Sequence, residues 1–394
     1  MSVAVTGIGC VSGLGCGAEE HLQAFRTGRG GLGEVTLFQT TLQLPVAEVK
    51  RSNEQLKNHL GLDPDRLFSR TALLGMVASR QAFQDAGFPD EGLRIGLISS
   101  SSVGGMDLSE QFYTEYAVNP KKGRLRMVAH HDIGDHTERI ADYLHLDGFR
   151  TSISTACSSS ANAIMLGARM IEQGLLDAVI AGGTDALCRF TLNGFNSLMI
   201  LDSAPCRPFD ESRAGLNLGE GAGYLVLQSE KSLTPESKVY CRLTGYANAN
   251  DAYHQTASSP DGEGAFLAMR HALDKAGIEP SSVDYINLHG TGTNNNDLSE
   301  GTAIKRLFGG RVPPLSSTKS FTGHTLGAAG GLEAVFSVLA ISERIVFPTL
   351  NFKTPIKQTG LSVVTEMMED QDITTVLSNS FGFGGNNASL IFQQ

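Results

Sequence analysis

What this sequence has little of narrows it first. Positive charge is in deficit: 394 residues carry 31 Lys and Arg against 41 Asp and Glu, a formal net charge of −10. A nucleic-acid partner is therefore not expected. An acidic protein partner stays open, because a local basic patch can sit on an acidic protein. Charged residues make up only 18% of the chain and hydrophobic ones 41%, with no low-complexity tract. That is an ordinary globular composition. The six cysteines, Cys10, Cys16, Cys157, Cys188, Cys206 and Cys241, lack both metal-ligand spacing and the density of a disulfide framework. They read as reduced thiols of a cytoplasmic protein that holds no metal. Residues 1–7 have neither a basic start nor an apolar signal core. No apolar run is read as long enough to span a bilayer, so no membrane association is expected.

A dinucleotide loop is missing too. Gly7-Ile8-Gly9 follows a short strand, but Ser12 stands where the third glycine belongs. No acidic ribose ligand follows a clear second strand. Glycine itself is plentiful, at 45 residues. Many lie beside Ser, Thr and Asn, in loops suited to pass close to a ligand.

The length accommodates two similar halves. The first reads as a strand over 3–5, a helix over 63–87 started by Asp63 and Pro64 and stopped by Gly87, and a strand over 93–98 followed by a loop over 99–105. Arg66 and Arg70 lie four apart on that helix. A basic run follows: Lys121, Lys122, Arg124 and Arg126. Strands over 176–181 and 224–227 flank an irregular stretch in which Arg207 and Asp210 read as an internal ion pair. The polar segment 229–238 divides the halves, 1–235 from 236–394. The second half reads as helices over 263–276, 297–307 and 326–342. Its strands fall over 283–288, near Leu315, over 374–378 and over 388–392. Asp297 is a candidate helix N-cap. Alternating strands and helices place the chain in the α/β class.

One stretch organises the rest. Ser152-Ile153-Ser154-Thr155-Ala156-Cys157-Ser158-Ser159-Ser160 begins as a strand and ends as a helix start, with Cys157 in the turn. Unpaired N–H groups there favour thiolate over thiol. An isolated cysteine is more often an inert core residue. Three further stretches change the balance. Leu288-His289-Gly290-Thr291-Gly292-Thr293 ends a buried strand on a histidine, where α/β proteins place ligand contacts. Ser316-Ser317-Thr318-Lys319-Ser320-Phe321-Thr322-Gly323-His324 offers a lysine and a histidine before a tight helix start. Asn379-Ser380-Phe381-Gly382-Phe383-Gly384-Gly385 is a glycine loop with two aromatics.

At these four stretches the chain resembles the elongating β-ketoacyl-ACP synthases, the condensing enzymes of fatty-acid and type II polyketide synthesis. The motifs match in order and spacing over nearly the whole length. The resemblance implies a thiolase-like fold of two related halves in five αβαβα layers. It implies a decarboxylative condensation of acyl-ACP with malonyl-ACP, and no bound cofactor, since phosphopantetheine arrives on the acyl carrier protein. By the same resemblance Cys157 is the nucleophile, and His289 and His324 complete a Cys-His-His set. Lys319 pairs with Glu300 beside them. Phe383 is gate and oxyanion donor with the Cys157 N–H. Thr291, Thr293 and Thr256 bind the pantetheine arm. Phe381 is read as packing. Val103 occupies the floor of the acyl pocket, where a larger aliphatic residue is common, so a deeper tunnel for medium to long, or rigid polyene, chains is expected. Arg66, Arg70, Lys121, Lys122, Arg124 and Arg126 are candidates for docking the acidic carrier. The stretch between Leu198 and Arg207 is shorter than in many members, which removes a further basic docking position.

Three alternatives stand beside this. A coenzyme A-dependent thiolase needs a second late cysteine, and none follows Cys241. Initiating condensing enzymes carry Asn in place of one histidine. A non-catalytic chain-length factor lacks the nucleophile. The chain is expected to form a homodimer, or a heterodimer with such a factor.

Overall fold

The computed structural model describes residues 3–88 and 92–394. Among the described residues eleven strands form the main sheet; the short strand Gly15–Cys16 pairs only with the end of the first, and the other ten are β1 (Val3–Ser12), β2 (Ile95–Ser100), β3 (Arg150–Ile153), β4 (Ala178–Asp185), β5 (Gly221–Gln228), β6 (Cys241–Asn250), β7 (Tyr285–Asn287), β8 (Leu315–Ser316), β9 (Thr375–Gly382) and β10 (Asn386–Gln393). The order is β3-β2-β4-β5-β1, then β6-β10-β9-β7-β8. In the first five, β3, β2 and β4 run parallel, and β5 and β1 follow antiparallel. In the second five, β8, β7 and β9 run parallel, and β10 and β6 follow antiparallel. The two patterns are the same. A duplication too faint to read from residue identities is thus plain in strand order and sense. The halves join where Val3, Ala4 and Val5 of β1 pair with Leu243, Arg242 and Cys241 of β6.

Eight helices matter here: α1 (Arg70–Ala86), α2 (Met106–Val118), α3 (Asp135–Leu144), α4 (Ser159–Glu172), α5 (Arg189–Ser197), α6 (Glu263–Ala276), α7 (Asn294–Phe308) and α8 (Ala329–Glu343). Strand alternation sorts the core into layers. Val179 and Ala181 of β4 enter a central cluster with Ile164 of α4 and Phe336 of α8. Ile180 points the other way, to Ala78 of α1 and Ile140 of α3. Val376 of β9 also enters the central cluster, while Leu377 joins Met269 of α6 and Ile304 of α7. The result is five layers: α1 and α3, a half-sheet, α4 and α8, a half-sheet, α6 and α7.

The middle layer corrects one expectation. Residues Leu326–Glu343 are long and apolar enough to cross a membrane by length and composition, yet 89% of that stretch is buried inside the protein. A helix packed on both sides must be apolar all round. The glycines of Gly7-Ile8-Gly9 also find their reason. A Cβ on Gly7 would lie 2.2 Å from the Ala82 carbonyl oxygen, and one on Gly9 would lie 2.0 Å from that of Ala78. They let α1 lie directly on β1. Helix α1 starts at Arg70, where Ser69 Oγ accepts from the Ala72 N–H at 3.2 Å; Asp63 and Pro64 lie in a turn ahead of it. Gly87, at φ 56, ends it as expected.

Candidate active site

Equivalent turns of the two halves supply the chemistry. Each half has a parallel strand running into a turn and then a middle-layer helix. In the first, β3 leads through Cys157 to α4. In the second, β8 leads through Lys319 and His324 to α8. His289 follows β7, and Phe383 follows β9. All sit beyond the carboxyl ends of strands, where open α/β sheets gather ligands.

The Cys157 turn is strained and tied down. Ala156 has φ 53, a left-handed value that side chains other than glycine resist. The Thr155 N–H donates to Ser159 Oγ at 2.8 Å, and Ser158 Oγ donates to Asn386 Oδ1 at 2.7 Å. The end of β9 comes against this turn. A Cβ on Gly382 would stand 2.9 Å from the Thr155 carbonyl oxygen and 3.2 Å from the Cys157 nitrogen. That approach aims the Phe383 and Cys157 backbone N–H groups at the sulfur. Burial nevertheless pushes the Cys157 thiol up to about 11; the Lys319 charge and the two N–H groups only partly offset it, and Asp185 adds to the rise. Burial thus works against the thiolate that the helix start is expected to favour.

Two neutral imidazoles face each other near the sulfur. The ring centroids of His289 and His324 lie 5.5 Å apart at 85°. Burial, then the Lys319 charge, then His324 hold His289 well below the ordinary histidine range; burial and Lys319 do the same to His324. Their tautomers follow from their partners. Lys319 Nζ lies 3.3 Å from His289 Nδ1, and an ammonium can only donate. The Leu326 N–H donates to His324 Nδ1 at 3.1 Å. Both Nδ1 atoms are acceptors, so each ring carries its proton on Nε2.

Lys319 is buried and ion-paired with Glu333 of α8, not with Glu300. Burial pushes Glu333 up to about 7 against the pull of Lys319. Glu300 lies on α7, beneath the other side of the histidine loop. It accepts from the His289 N–H at 2.9 Å, the Gly290 N–H at 2.8 Å and Asn379 Nδ2 at 3.1 Å. Burial pushes it, too, up to about 7. Glu300 thus shapes the His289 backbone, while Glu333 fixes the lysine. A signal for Glu333 exists in the sequence: it is the one charged residue within 326–342, and a buried acid needs a partner.

A cavity of about 260 Å³ has Cys157, His289 and His324 in its wall. Thr256, Thr291, Thr293 and Phe383 line it as well. Thr291 Oγ1 is 2.9 Å from Thr293 Oγ1, and Thr293 caps α7 by accepting from the Asn296 N–H. That leaves Asp297 off the cap; it accepts instead from the N–H groups of Thr291, Gly292 and Phe209. The Phe383 ring stacks on Phe195 of α5 at 6.1 Å and 17°. Phe381 is buried, its ring 5.9 Å from that of His289.

Other expected residues lie elsewhere. Val103 is not in the cavity wall but packs in an apolar cluster with Leu187, Leu192 and Leu326. Its N–H is held by Asp185, which also accepts from Ser102 and Gly327 and so stitches the halves together. Sequence reasoning passed over Asp185 and Phe195, whose roles come from the fold alone. Arg70 cannot dock a partner. It is 4% exposed and bridges Glu220 through Nε at 2.8 Å and Nη2 at 2.6 Å. Arg66, Lys121, Lys122, Arg124 and Arg126 are exposed. Arg207 pairs with Asp202 at 2.7 Å rather than with Asp210, which accepts from Ser212 and from the Lys353 and Thr354 N–H groups.

A buried thiol under an aimed pair of backbone donors, faced by two N–H imidazoles, defines an acyltransferase with a cysteine nucleophile. Comparison with known proteins agrees. The family described as "Beta-ketoacyl synthase, N-terminal domain" matches residues 1–232, and "Beta-ketoacyl synthase, C-terminal domain" matches residues 240–353. The chain belongs to the β-ketoacyl synthase family and has its thiolase-like fold. It is 36% identical to "3-oxoacyl-[acyl-carrier-protein] synthase 2" of Staphylococcus aureus (strain COL), over 100% of this chain and 98% of that protein. Among solved structures, a chain of the ishigamide ketosynthase/chain length factor superposes with a TM-score of 0.94 at 32% identity, covering 100% of this chain and 99% of that one. A chain of AntDE:AntF, a type II polyketide carrier protein in complex with its ketosynthase, superposes with a TM-score of 0.88 at 28% identity, over 100% and 99%.

Proposed function

We propose that the protein is a β-ketoacyl-[acyl-carrier-protein] synthase. It joins an acyl group to a malonyl-derived unit on acyl carrier protein, giving 3-oxoacyl-ACP, carbon dioxide and free carrier. In the first half-reaction the Cys157 sulfur bonds to the acyl carbon and the carrier's C–S bond breaks. The thiol proton ends on the departing carrier thiol. The Phe383 and Cys157 N–H groups hold the oxyanion as it develops. In the second half-reaction malonyl thioester loses carbon dioxide. The Nε2–H groups of His289 and His324 donate to the enolate oxygen. The enolate carbon attacks the acyl carbonyl, the bond to Cys157 breaks, and the sulfur takes up a proton from solvent water. The observation that carries this reading is the pair of imidazoles locked as Nε2–H donors beside one buried thiol. Thr291, Thr293 and Thr256 line the route a pantetheine arm would take.

The carrier protein and a cytoplasmic setting are part of the proposal, as is service in fatty-acid or type II polyketide or aryl polyene elongation. A second reading, an active subunit paired with a chain-length factor, draws support from the likeness to the ishigamide ketosynthase/chain length factor and from β3. That strand has β2 on one side and an open edge on the other. The deciding experiment is intact-mass analysis after mixing with acyl-ACP. An acyl adduct is expected on the wild type and none on Cys157→Ala. Adduct on both, or on neither, overturns the assignment.

A further inference from the structure

The mouth of the Cys157 cavity has an unusual pair of lips. One is the turn after α5. Met199 lines the cavity, is 89% exposed and has φ 56; Leu198 before it is 43% exposed. Left-handed backbone is unfavourable for such a side chain, and so is a thioether standing in water. The turn holds it there: the Met199 N–H donates to the Asn196 carbonyl at 3.0 Å. The opposite lip is the loop 251–258, which supplies Thr256 to the wall. It repeats the pattern, with Ala252 at φ 46 followed by Tyr253, 57% exposed. The Gly384 N–H donates to the Gln255 carbonyl at 2.8 Å, so this lip also touches the loop that carries Phe383.

Among the described residues no Lys, Arg, Asp or Glu lines the cavity wall. Asp251, at the start of the second lip, accepts from the Ser259 N–H at 3.0 Å. Arg207 is committed to Asp202, and Arg213, 8% exposed, donates to the carbonyls of Asp210, Thr293 and Asn294. Whatever delivers an acyl group to Cys157 must cover this mouth, since its arm reaches the sulfur through it.

We propose that Leu198, Met199 and Tyr253 form an apolar docking lip for the acyl-carrying protein, recognised by an exposed apolar side chain beside the attachment point of its arm. This rests on the function proposed above. It makes docking at the mouth a matter of apolar contact, little affected by salt, whatever the exposed basic run over 121–126 adds elsewhere. The test compares two substrates of the same acyl group, one on the carrier protein and one on N-acetylcysteamine. Leu198→Glu and Tyr253→Ser should each raise KM for the carrier-borne substrate about tenfold, the loss of a desolvated apolar contact. KM for the small thioester should stay unchanged, because neither side chain lines the cavity, and Leu198→Met should behave as wild type. The proposal is overturned if KM moves together for both substrates or for neither. It is overturned as well if Leu198→Glu changes the oligomeric mass, which would make the lip a subunit contact. Wild type that condenses neither substrate would instead defeat the function on which the lip depends.

Discussion

Replacing Lys319 by methionine probes the centre of the site most sharply. Lys319 is 1% exposed and stands between Glu333 and Nδ1 of His289. The substitution keeps the stem's volume and removes the charge. Glu333 Oε2 already has no partner, so the variant leaves the whole carboxylate buried and unpaired. Breaking a buried pair in this way costs roughly 3–5 kcal/mol. The cost depends on pH. Glu333 already titrates near 7 against an ordinary value of 4.5, and only Lys319 holds it that low. A carboxyl raised in the folded state contributes its stability at low pH and loses it as pH climbs through the folded value. In Lys319→Met that value climbs further, so the deficit against wild type should be larger at pH 9 than at pH 6. Lys319→Met/Glu333→Leu should regain most of the loss, because neither charge then remains buried. Guanidinium unfolding at both pH values measures this. Activity should separate from stability. Both variants should still take an acyl group on Cys157, but carbon dioxide release from malonyl-ACP should fall by about a hundredfold or more, as when an oxyanion donor is lost. Without the ammonium, the His289 proton is free to leave Nε2. A single variant as stable as wild type at pH 9, or a double variant less stable than the single, would refute this reasoning.

Three other outcomes are expected. His289→Ala and His324→Ala should each form the acyl adduct by intact mass yet fail to decarboxylate malonyl-ACP; normal carbon dioxide release in both would remove their proposed role. The Cys157 thiol is pushed up to about 11, so its alkylation by iodoacetamide should quicken by about tenfold per pH unit from 7 to 9. A plateau below pH 8 would show a thiolate already formed. Arg70→Met should lower unfolding stability by roughly 3–5 kcal/mol while leaving KM for acyl-ACP untouched in the folded fraction, because its partner is the buried Glu220.

Much of the site could be read before the fold was in hand. Each of its groups sits in a short stretch whose small residues have a purpose. A glycine follows His289, glycines flank Phe383, and three serines follow Cys157, because a backbone or a ligand must come near. The helix expected over 263–276 is α6, Glu263–Ala276, since its apolar face is single and its ends are marked by Gly262 and Gly277. The failures share a cause. A lysine needs an acid, but spacing does not say which: Glu300 and Glu333 are both buried, and only the packing of α8 against the Lys319 turn selects Glu333. Arg70 looked like one of two exposed arginines four apart because the helix was drawn one turn and more too long. Ser69, the true cap, places Arg70 in the first turn and turns it inward to Glu220. The stretch 326–342 is apolar for a reason no window of residues reveals, namely that two half-sheets enclose it.

The matched strand patterns have a practical corollary. The sulfur belongs to one repeat and the lysine, both imidazoles and the aromatic gate to the other, so neither repeat owns a working pocket. A polypeptide cut in the connector between β5 and β6 would yield two pieces with half the reagents each. Turnover recovered on mixing them would then report reassembly of the seam itself, residue for residue, with no added label.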